Sequence, residues 1–382
     1  MKRRGFLKLA GGGVILAAGG AALFAATRSP GKALAPWATA GGTAYADPRM
    51  NALSYAILAP NPHNRQPWLV SLEGEKTAVL RFDTERQLPH TDPFDRQLTI
   101  GLGCFLELMV MAAQANGYAV TLDLFPDGSS ETGLDDRIVA RARFREDPTL
   151  APDPLWPYVP ARRSNKEPFD TARAVSATDL DALLASTKHG TRLGGSVAPD
   201  EIGFWRELSA QALRIEIETP RTYKESVELF RIGKAEINEN PDGIDFSGPM
   251  FESLRLAGLF DRNVALDTGS VAYSQGIEAV MDNCRSAMGH IWMTTAANTR
   301  MDQIAAGRDW LRANLAVTRA GLGVQPLSQA LQEYPEMAEL YHRVHNRLAP
   351  DGGTVQMLAR IGYGPDIPVS PRWPIEAKMV TD

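Results

Sequence analysis

The spacing of apolar and polar residues predicts an ordered series of helices and strands from residue 47 onwards. The segment "PRMNALSYAIL" (48–58) has the pattern of a short amphipathic helix, whereas "WLVSL" and "TAVLRF" alternate like paired strands. A long apolar helix is predicted from Arg96 to Asn116, followed by the strands "YAVTLDLF" and "RIVARARF". The proline-rich stretch "DPTLAPDPLWPYVP" (147–160) is the best candidate for a linker between two halves.

One segment in each half follows the same pattern. "GCFLELMVMAAQANGYAV" begins at Gly103, and "GRDWLRANLAVTRAGLGV" begins at Gly307. Each runs fourteen residues to a second glycine, Gly117 or Gly321, which suits the left-handed end of a helix before an extended segment. An internal duplication explains this match, and two unrelated core helices are the alternative.

Three polar segments contain residues suited to ligand binding. In "APNPHNRQPW" (59–68), prolines stiffen a loop that carries the carboxamides of Asn64 and Gln66. "ARRSNKEPFD" (161–170) contains an arginine pair and a serine, whose donors match phosphate oxygens. "SPRWP" (370–374) holds Arg372 between prolines. A solvated basic turn is the alternative explanation for each arginine segment taken alone.

Taken in order, these segments resemble the nitroreductase superfamily of homodimeric FMN flavoproteins. "APNPHNRQPW" resembles the APSxxNxQPW loop of that superfamily, and "RRSNKEPF" resembles its RRSxRxF start. "GLGVQPLS" (321–328) resembles the segment that passes the reactive edge of the flavin, and "SPRWP" resembles the tail that contacts the phosphate. The similarity is greatest to the duplicated, single-chain Acg-like branch, in which one polypeptide mimics the dimer.

The resemblance implies a nitroreductase-like α+β fold, mostly antiparallel sheet flanked by helices. Two related halves, 47–150 and 151–382, would form a monomeric pseudo-dimer. The first half lacks the arginine–serine start, and the second lacks an Asn-x-Gln-Pro-Trp loop. The surviving motifs therefore imply one FMN per chain, bound between the halves.

The resemblance also implies a set of cofactor-binding residues. They are Pro60, Asn61, Asn64, Gln66, Arg162, Arg163, Ser164, Gln325, Pro326, Leu327 and Arg372. The three arginines and the serine would hold the phosphate, and the carboxamides of Asn64 and Gln66 would meet the pyrimidine edge. Pro60 and Asn61 would press on the ring, while 325–327 would line its other side and offer a backbone N–H. No general acid and no metal ligand are implied.

The N-terminus differs from the rest of the chain in composition. It has a basic start and a Gly/Ala-rich apolar run, and Arg3-Arg4-Gly5-Phe6-Leu7-Lys8 resembles a twin-arginine export signal. "AYA" at 44–46 offers a cleavage site, so residues 1–46 are predicted to be a signal recognised by the twin-arginine machinery, and the protein to be periplasmic or otherwise exported. The alternative is an uncleaved membrane anchor formed by the run Leu9–Ala26.

The charge balance limits the partners. Residues 1–46 hold six lysines and arginines and no acid, so the remainder of the 382 residues carries 34 basic against 45 acidic side chains, a net charge of −11. A surface this acidic argues against nucleic acid or anionic lipid as a partner.

The function implied by the resemblance is FMN-dependent electron transfer. Two electrons would pass from a reduced donor, NAD(P)H in most of the superfamily, to an electrophilic acceptor such as a nitroaromatic or a quinone. The alternatives are a non-catalytic protein that sequesters FMN beneath a closed lid, and a cofactor-free periplasmic binding protein. Residues 242–260 are the candidate lid, with a packed insertion as the other interpretation.

Two smaller features have simple interpretations. Cys104 lies in an apolar helix and is expected to be a buried free thiol, although the sequence does not exclude a disulfide with Cys284. His342 and His345 have the spacing of a metal pair but are expected to lie on an exposed helix surface.

Overall fold

The first half is built on a four-stranded antiparallel sheet with one long helix. The structure, a computed structural model, describes residues 27–381; the predicted twin-arginine stretch and the run Leu9–Ala26 lie outside the described residues. The elements of this half are α1 (Gly31–Thr39), α2 (Pro48–Ala56), β1 (Trp68–Glu73), β2 (Thr77–Phe82), α3 (Arg96–Ala115), β3 (Tyr118–Leu124) and β4 (Ile138–Glu146). The predicted helices and strands of this half are therefore confirmed. The strand order is β1-β2-β4-β3.

The second half repeats this plan with additional elements. They are α4 (Ala177–Leu184), β5 (Arg192–Ser196), α5 (Pro199–Glu218), α6 (Pro220–Glu228), β6 (Phe230–Ile232), α7 (Lys234–Glu239), β7 (Ile244–Phe246), α8 (Pro249–Leu256), α9 (Arg262–Leu266), α10 (Val271–Arg285), β8 (Gly289–Thr295), α11 (Arg300–Arg319), β9 (Gly323–Pro326), α12 (Ala338–Leu348) and β10 (Thr354–Gly362). Its antiparallel sheet has the order β5-β8-β10-β9.

The two halves share one topology. In each sheet, two strands are followed by a 20-residue helix and two more strands. The fourth strand in the sequence lies between the second and the third. The predicted α+β class, with two related halves and helices flanking antiparallel sheets, is confirmed. The halves differ at one connection. Residues 74–76 join β1 to β2, whereas residues 197–288, here called the insertion, join β5 to β8.

Helices α3 and α11 cross at Gly103 and Gly307, the residues that begin the two matched sequence segments. A Cβ atom on Gly103 would lie 2.4 Å from the carbonyl oxygen of Ile304, and one on Gly307 would lie 2.0 Å from that of Ile100. The two backbones are thus in direct contact, which any other residue would prevent. Both helices end as predicted, with Gly117 at φ +75° and Gly321 at φ +69°.

Helix α3 forms the centre of the core. Within residues 27–381 it is the one helix long and apolar enough to cross a membrane, but its side chains are buried inside the protein. Cys104, on this helix, and Cys284 are both buried free thiols, as expected for Cys104. Burial raises the pKa of Cys104 to about 12 and that of Cys284 to about 11, so neither is a reactive thiolate near neutral pH.

The helix crossing yields a stability prediction. Replacing Gly307 with alanine forces the two backbones apart, so we expect the free energy of unfolding to fall by about 1–3 kcal/mol or more. Thermal and denaturant unfolding measure this change.

Gly203→Ala is the matched control. Gly203 lies within α5, and a Cβ there would meet no atom within 4 Å. This variant should gain up to about 1 kcal/mol from helix propensity. Equal effects of the two substitutions would contradict the close crossing.

Candidate functional site

The loop between α2 and β1 is held in a strained conformation. His63, Asn64 and Gln66 have φ values of +47°, +52° and +51°, in a backbone region that residues other than glycine rarely adopt. The side chain of Asn61 braces the loop, since its Oδ1 accepts from the Gln66 N–H at 2.7 Å and its Nδ2 donates to the Ala59 carbonyl at 3.1 Å. Asn61 thus shapes the loop through its own amide, and its contact with the flavin ring stays a prediction.

The loop of the first half meets two arginines of the second half. Arg162 Nη2 donates to the Leu58 carbonyl at 3.1 Å. Arg372 Nη1 donates to Asn64 Oδ1 at 2.7 Å, and its Nη2 donates to the carbonyls of Leu58 and Ala59 at 3.2 and 3.1 Å. We call this group, Leu58–Gln66 with Arg162 and Arg372, the cradle. It lies between the halves.

The arginines of the cradle lack a direct carboxylate partner among the described residues, although the charge of Asp245 acts on Arg372. Within residues 27–381, Arg162 Nη1 and Arg372 Nε are buried without a hydrogen-bond partner, and neither guanidinium forms an ion pair. Burial, reinforced by repulsion from Arg163, lowers the pKa of Arg162 to about 10. Burial and repulsion from Arg162 lower that of Arg372 to about 9. These two buried guanidiniums keep unused donors, which match the oxygens of a phosphate such as that of FMN.

The two loop carboxamides hold neighbouring segments in place. Gln66, which is fully buried, accepts from the Trp373 N–H at 2.9 Å and donates to the Pro241 carbonyl at 2.7 Å. Asn64 Nδ2 donates to the Pro371 carbonyl at 3.1 Å. If Asn64 and Gln66 are to pair with the pyrimidine edge of the flavin, they must exchange these hydrogen bonds for bonds to the flavin.

The other predicted residues form two groups, one next to Arg162 in the sequence and one on β9. Arg163 is half-buried, and its Nη1 donates to the Pro160 carbonyl at 2.8 Å; Ser164 follows it in the same half-buried stretch. Gln325 Oε1, on β9, accepts from Arg360 Nε at 2.7 Å, and Arg360 also donates to the Glu167 carbonyl at 2.7 Å. The structure therefore connects Gln325 to the segment after Ser164 rather than to Arg162 or Arg372.

The backbone N–H expected in this part of the site is already engaged at Leu327. It donates to the Leu358 carbonyl at 2.9 Å as part of the sheet. Pro326 pairs with Ala359 in the same ladder. Leu327 is buried with Leu213, Met281 and Cys284, so the position of residues 325–327 is set by the sheet and core of the second half.

Sequence reasoning missed the aromatic residues and the insertion contacts. The indole of Trp37 lies over the guanidiniums of Arg162 and Arg372, at 5.8 and 5.7 Å from ring centre to guanidinium carbon. Trp373 Nε1 donates to Asp242 of the insertion at 3.1 Å. "SPRWP" shows Trp373 beside Arg372, but no sequence signal joins Trp37 to either arginine.

The candidate lid begins against the cradle. The Gly243 N–H donates to the Asn64 carbonyl at 3.2 Å, and the Pro241 carbonyl accepts from Gln66. Further on, Phe246, Phe251 and Phe260 pack against each other, with ring centres 5.0–5.7 Å apart. Within 242–260, Gly243 thus contacts the loop and the three phenylalanines pack together, and the role of this segment as a lid stays a prediction.

The equivalent position in the other half is filled by ion pairs. Its loop, residues 185–191 between α4 and β5, is held by Asp309, which accepts from the Lys188 N–H at 2.6 Å. Nearby, Glu107 pairs with Arg308 at 2.8 Å and with Arg312 at 3.0 Å. Each of these arginines has a carboxylate partner, in contrast to the arginines of the cradle. This difference supports a single anion site.

No metal centre is formed by the described part of the chain. Residues 27–381 contain no group of three His, Cys, Asp or Glu side chains placed to hold a metal ion. His342 is exposed, as expected, but His345 is half-buried, and its Nε2 accepts from the Val355 N–H at 3.1 Å. The role of His345 is therefore to fasten α12 to β10.

The ion pairs of Glu107 yield a pH prediction. Burial alone would raise the pKa of Glu107, but the neighbouring His189, Arg308 and Arg312 together lower it below its ordinary value of 4.5. The resulting stability is present above pH 4.5 and is lost as pH falls through the lower folded-state pKa.

Glu107→Gln should therefore destabilise the protein by about 1–3 kcal/mol at neutral pH, because Arg308 loses its carboxylate partner and Arg312 keeps only Asp153. The difference from the wild type should shrink in acid, as followed by denaturant unfolding from pH 7 downwards. Exposed Glu207, replaced in the same way, should show no such dependence. A constant difference at all pH values would refute the assignment.

The unpaired guanidiniums yield a ligand prediction. Inorganic phosphate should stabilise the wild type, by about 2.7 kcal/mol at about 100 times its Kd, as measured by thermal unfolding. Arg372→Gln should remove this shift, whereas Arg214→Gln on the exposed face of α5 should keep it. An equal shift in both variants would place the anion elsewhere.

Comparisons with known proteins agree with the motifs. No family model matches the chain. Two proteins of Mycobacterium tuberculosis strain H37Rv, both named "Putative NAD(P)H nitroreductase", are similar to it. Rv3131 is 25% identical over 342 residues, 84% of this chain and 87% of its own, and acg is 26% identical over 337 residues, 85% and 93%.

A solved structure also aligns with the chain. The FMN-dependent nitroreductase NfnB from Mycobacterium smegmatis, in complex with NADPH, aligns at a TM-score of 0.36 and 14% identity and covers 59% of this chain and 96% of its own. Over more than four-fifths of its length, then, the chain is similar to proteins named as NAD(P)H nitroreductases, which supports the resemblance to the nitroreductase superfamily.

Proposed function

We propose that the chain is an FMN-dependent, nitroreductase-like oxidoreductase that binds one FMN between its two halves. The observation that carries this proposal is the pair of buried arginines, Arg162 and Arg372, which have free donors and contact the loop of the opposite half. The similarity to proteins named as NAD(P)H nitroreductases supports the reaction class. Export by the twin-arginine route remains part of the proposal, on the Arg3-Arg4 motif alone.

The residues of the chain have defined tasks in this function. Arg162 and Arg372 bind the phosphate with donors that are now free or shared with the carbonyls of Leu58 and Ala59. The braced loop orients the cofactor because its backbone is fixed before binding. Bound FMN supplies two-electron transfer, in which NAD(P)H is oxidised and a nitroaromatic or quinone is reduced with protons from water.

Sequestration of FMN is the second candidate. It is favoured by two hydrogen bonds between the insertion and the loop, one accepted by the Pro241 carbonyl from Gln66 and one donated by the Gly243 N–H to Asn64, which place a cover against the cradle. A protein with this role would bind FMN without exchanging electrons with any soluble donor or acceptor.

Cofactor content tests binding. Protein purified after expression with its own N-terminus should contain FMN at a molar ratio near one, measured by absorbance after denaturation and by mass spectrometry. Replacing Arg162 and Arg372 together with methionine should reduce the ratio at least tenfold, because charge-assisted bonds contribute about 1.5–3 kcal/mol each. Arg285→Met, on an exposed helix end, should keep the flavin. A ratio near two, or colourless wild-type protein, would refute a single FMN site.

Turnover separates the two candidates. We expect NADH or NADPH to bleach the bound flavin in stopped-flow experiments and a nitroaromatic or quinone to restore its absorbance. A bound flavin that neither NADH nor NADPH reduces would favour sequestration and contradict the enzyme.

A further inference from the structure

Helix α1 lies across the cradle, although the sequence places it within the predicted export signal. The Ala33 carbonyl accepts from the Arg372 N–H at 2.9 Å, and the Ala33 N–H donates to Asn238 Oδ1 of the insertion at 3.0 Å. Trp37 Nε1 donates to the Ser370 carbonyl at 2.8 Å. These three bonds fasten the helix to the C-terminal tail and to the insertion. Ala33 and Pro36 are buried in the contact.

The chain after this helix continues along the protein. The Gly41 N–H donates to Ser54 Oγ of α2 at 2.8 Å, and the ring of Tyr45 packs against the main core. We call residues 31–46 the strap. Its contacts run from the tail to α2, so the whole strap is part of the folded body.

Trp37 faces the uncompensated charge. Its ring lies over the guanidiniums of Arg162, Arg163 and Arg372, at 5.8, 5.3 and 5.7 Å from ring centre to guanidinium carbon. The negative face of an indole stabilises a cation at this distance. The ring therefore does part of what a bound anion would do, and it keeps water from the guanidiniums.

The strap also forms one side of an open pocket. A space of about 240 Å³ lies between Leu34 of the strap, Asp245 and Pro249 of the insertion, and Pro368 and Val369 of the tail. These are the elements that hold the strap in place.

We infer that the strap is a wall of the cofactor site, with Trp37 as a positioning residue for the arginine cluster, and that it stays attached in the mature protein. Signal processing then occurs before Gly31 and not after Ala46. The inference rests on the proposed function for the identity of the bound anion as FMN. The closure of the arginines is independent of that identity.

Arginine reactivity tests the closure without any flavin. In the full chain, phenylglyoxal modification is mapped by mass spectrometry at Arg162 and Arg372, with exposed Arg214 as the internal reference. Trp37→Ala should raise the rate at both buried arginines about tenfold, the factor that 1.4 kcal/mol of lost closing free energy produces. Lys32→Ala, on the exposed side of the same helix, should leave the rates unchanged. Equal rates in the wild type and Trp37→Ala would overturn the inference.

Two further measurements complete the test. In the wild type, hydrogen exchange should show a protected Arg372 amide, because its N–H is bonded to Ala33; rapid exchange there would overturn the inference even if Trp37→Ala does not fold. The N-terminal residue of the exported protein, determined by mass spectrometry, should be Gly31 or earlier, and a start at Asp47 would overturn retention of the strap.

FMN release separates this inference from the proposed function. Flavin loaded onto the full chain should dissociate about tenfold faster from Trp37→Ala than from Lys32→Ala. Equal dissociation rates would overturn the positioning role while leaving the FMN site intact. Failure of the wild type to bind FMN would instead refute the proposed function, with arginine reactivity still deciding whether the strap closes the cluster.

Discussion

The crossing of α3 and α11 determines how the rest of the molecule is arranged. At Gly103 and Gly307 the two helix backbones touch, and a side chain on either residue would separate them. This single contact fixes the distance between the halves. One turn further along, the ion pairs of Glu107 with Arg308 and Arg312 fix their rotation. The loop of the first half can contact arginines of the second half because both the distance and the relative rotation of the halves are fixed.

The buried arginines around Glu107 and those of the cradle differ in whether a carboxylate pairs with them. Around Glu107 every buried arginine has a carboxylate, so that region is complete within the chain. In the cradle, Arg162 and Arg372 are buried among carbonyls and keep unused donors. Burying such charges destabilises a fold unless a partner binds them. The positive φ angles of the adjacent loop are also unfavourable. Buried unpaired charge and strained backbone are both typical of ligand-binding sites.

The sequence predicts well what depends on local pattern. Strand alternation located β1 and β2, and the two helix-ending glycines were identified with their left-handed conformation, because each depends on a few adjacent residues. The partners of Gln66 were not predictable, since Pro241 and Trp373 are distant in sequence. Trp37 was missed for another reason. Its neighbours have the small, apolar composition of an export signal, and this composition is equally compatible with a helix that packs closely.

The insertion makes the surfaces of the two related halves different. In the first half a three-residue turn joins β1 to β2. In the second half the same connection is the insertion, and it reaches across to the loop through Pro241, to the tail through Asp242 and to the strap through Asn238. The duplicated elements alone would offer two equivalent surfaces. Because one insertion binds three segments that converge on one of these surfaces, it selects that surface and supplies its cover.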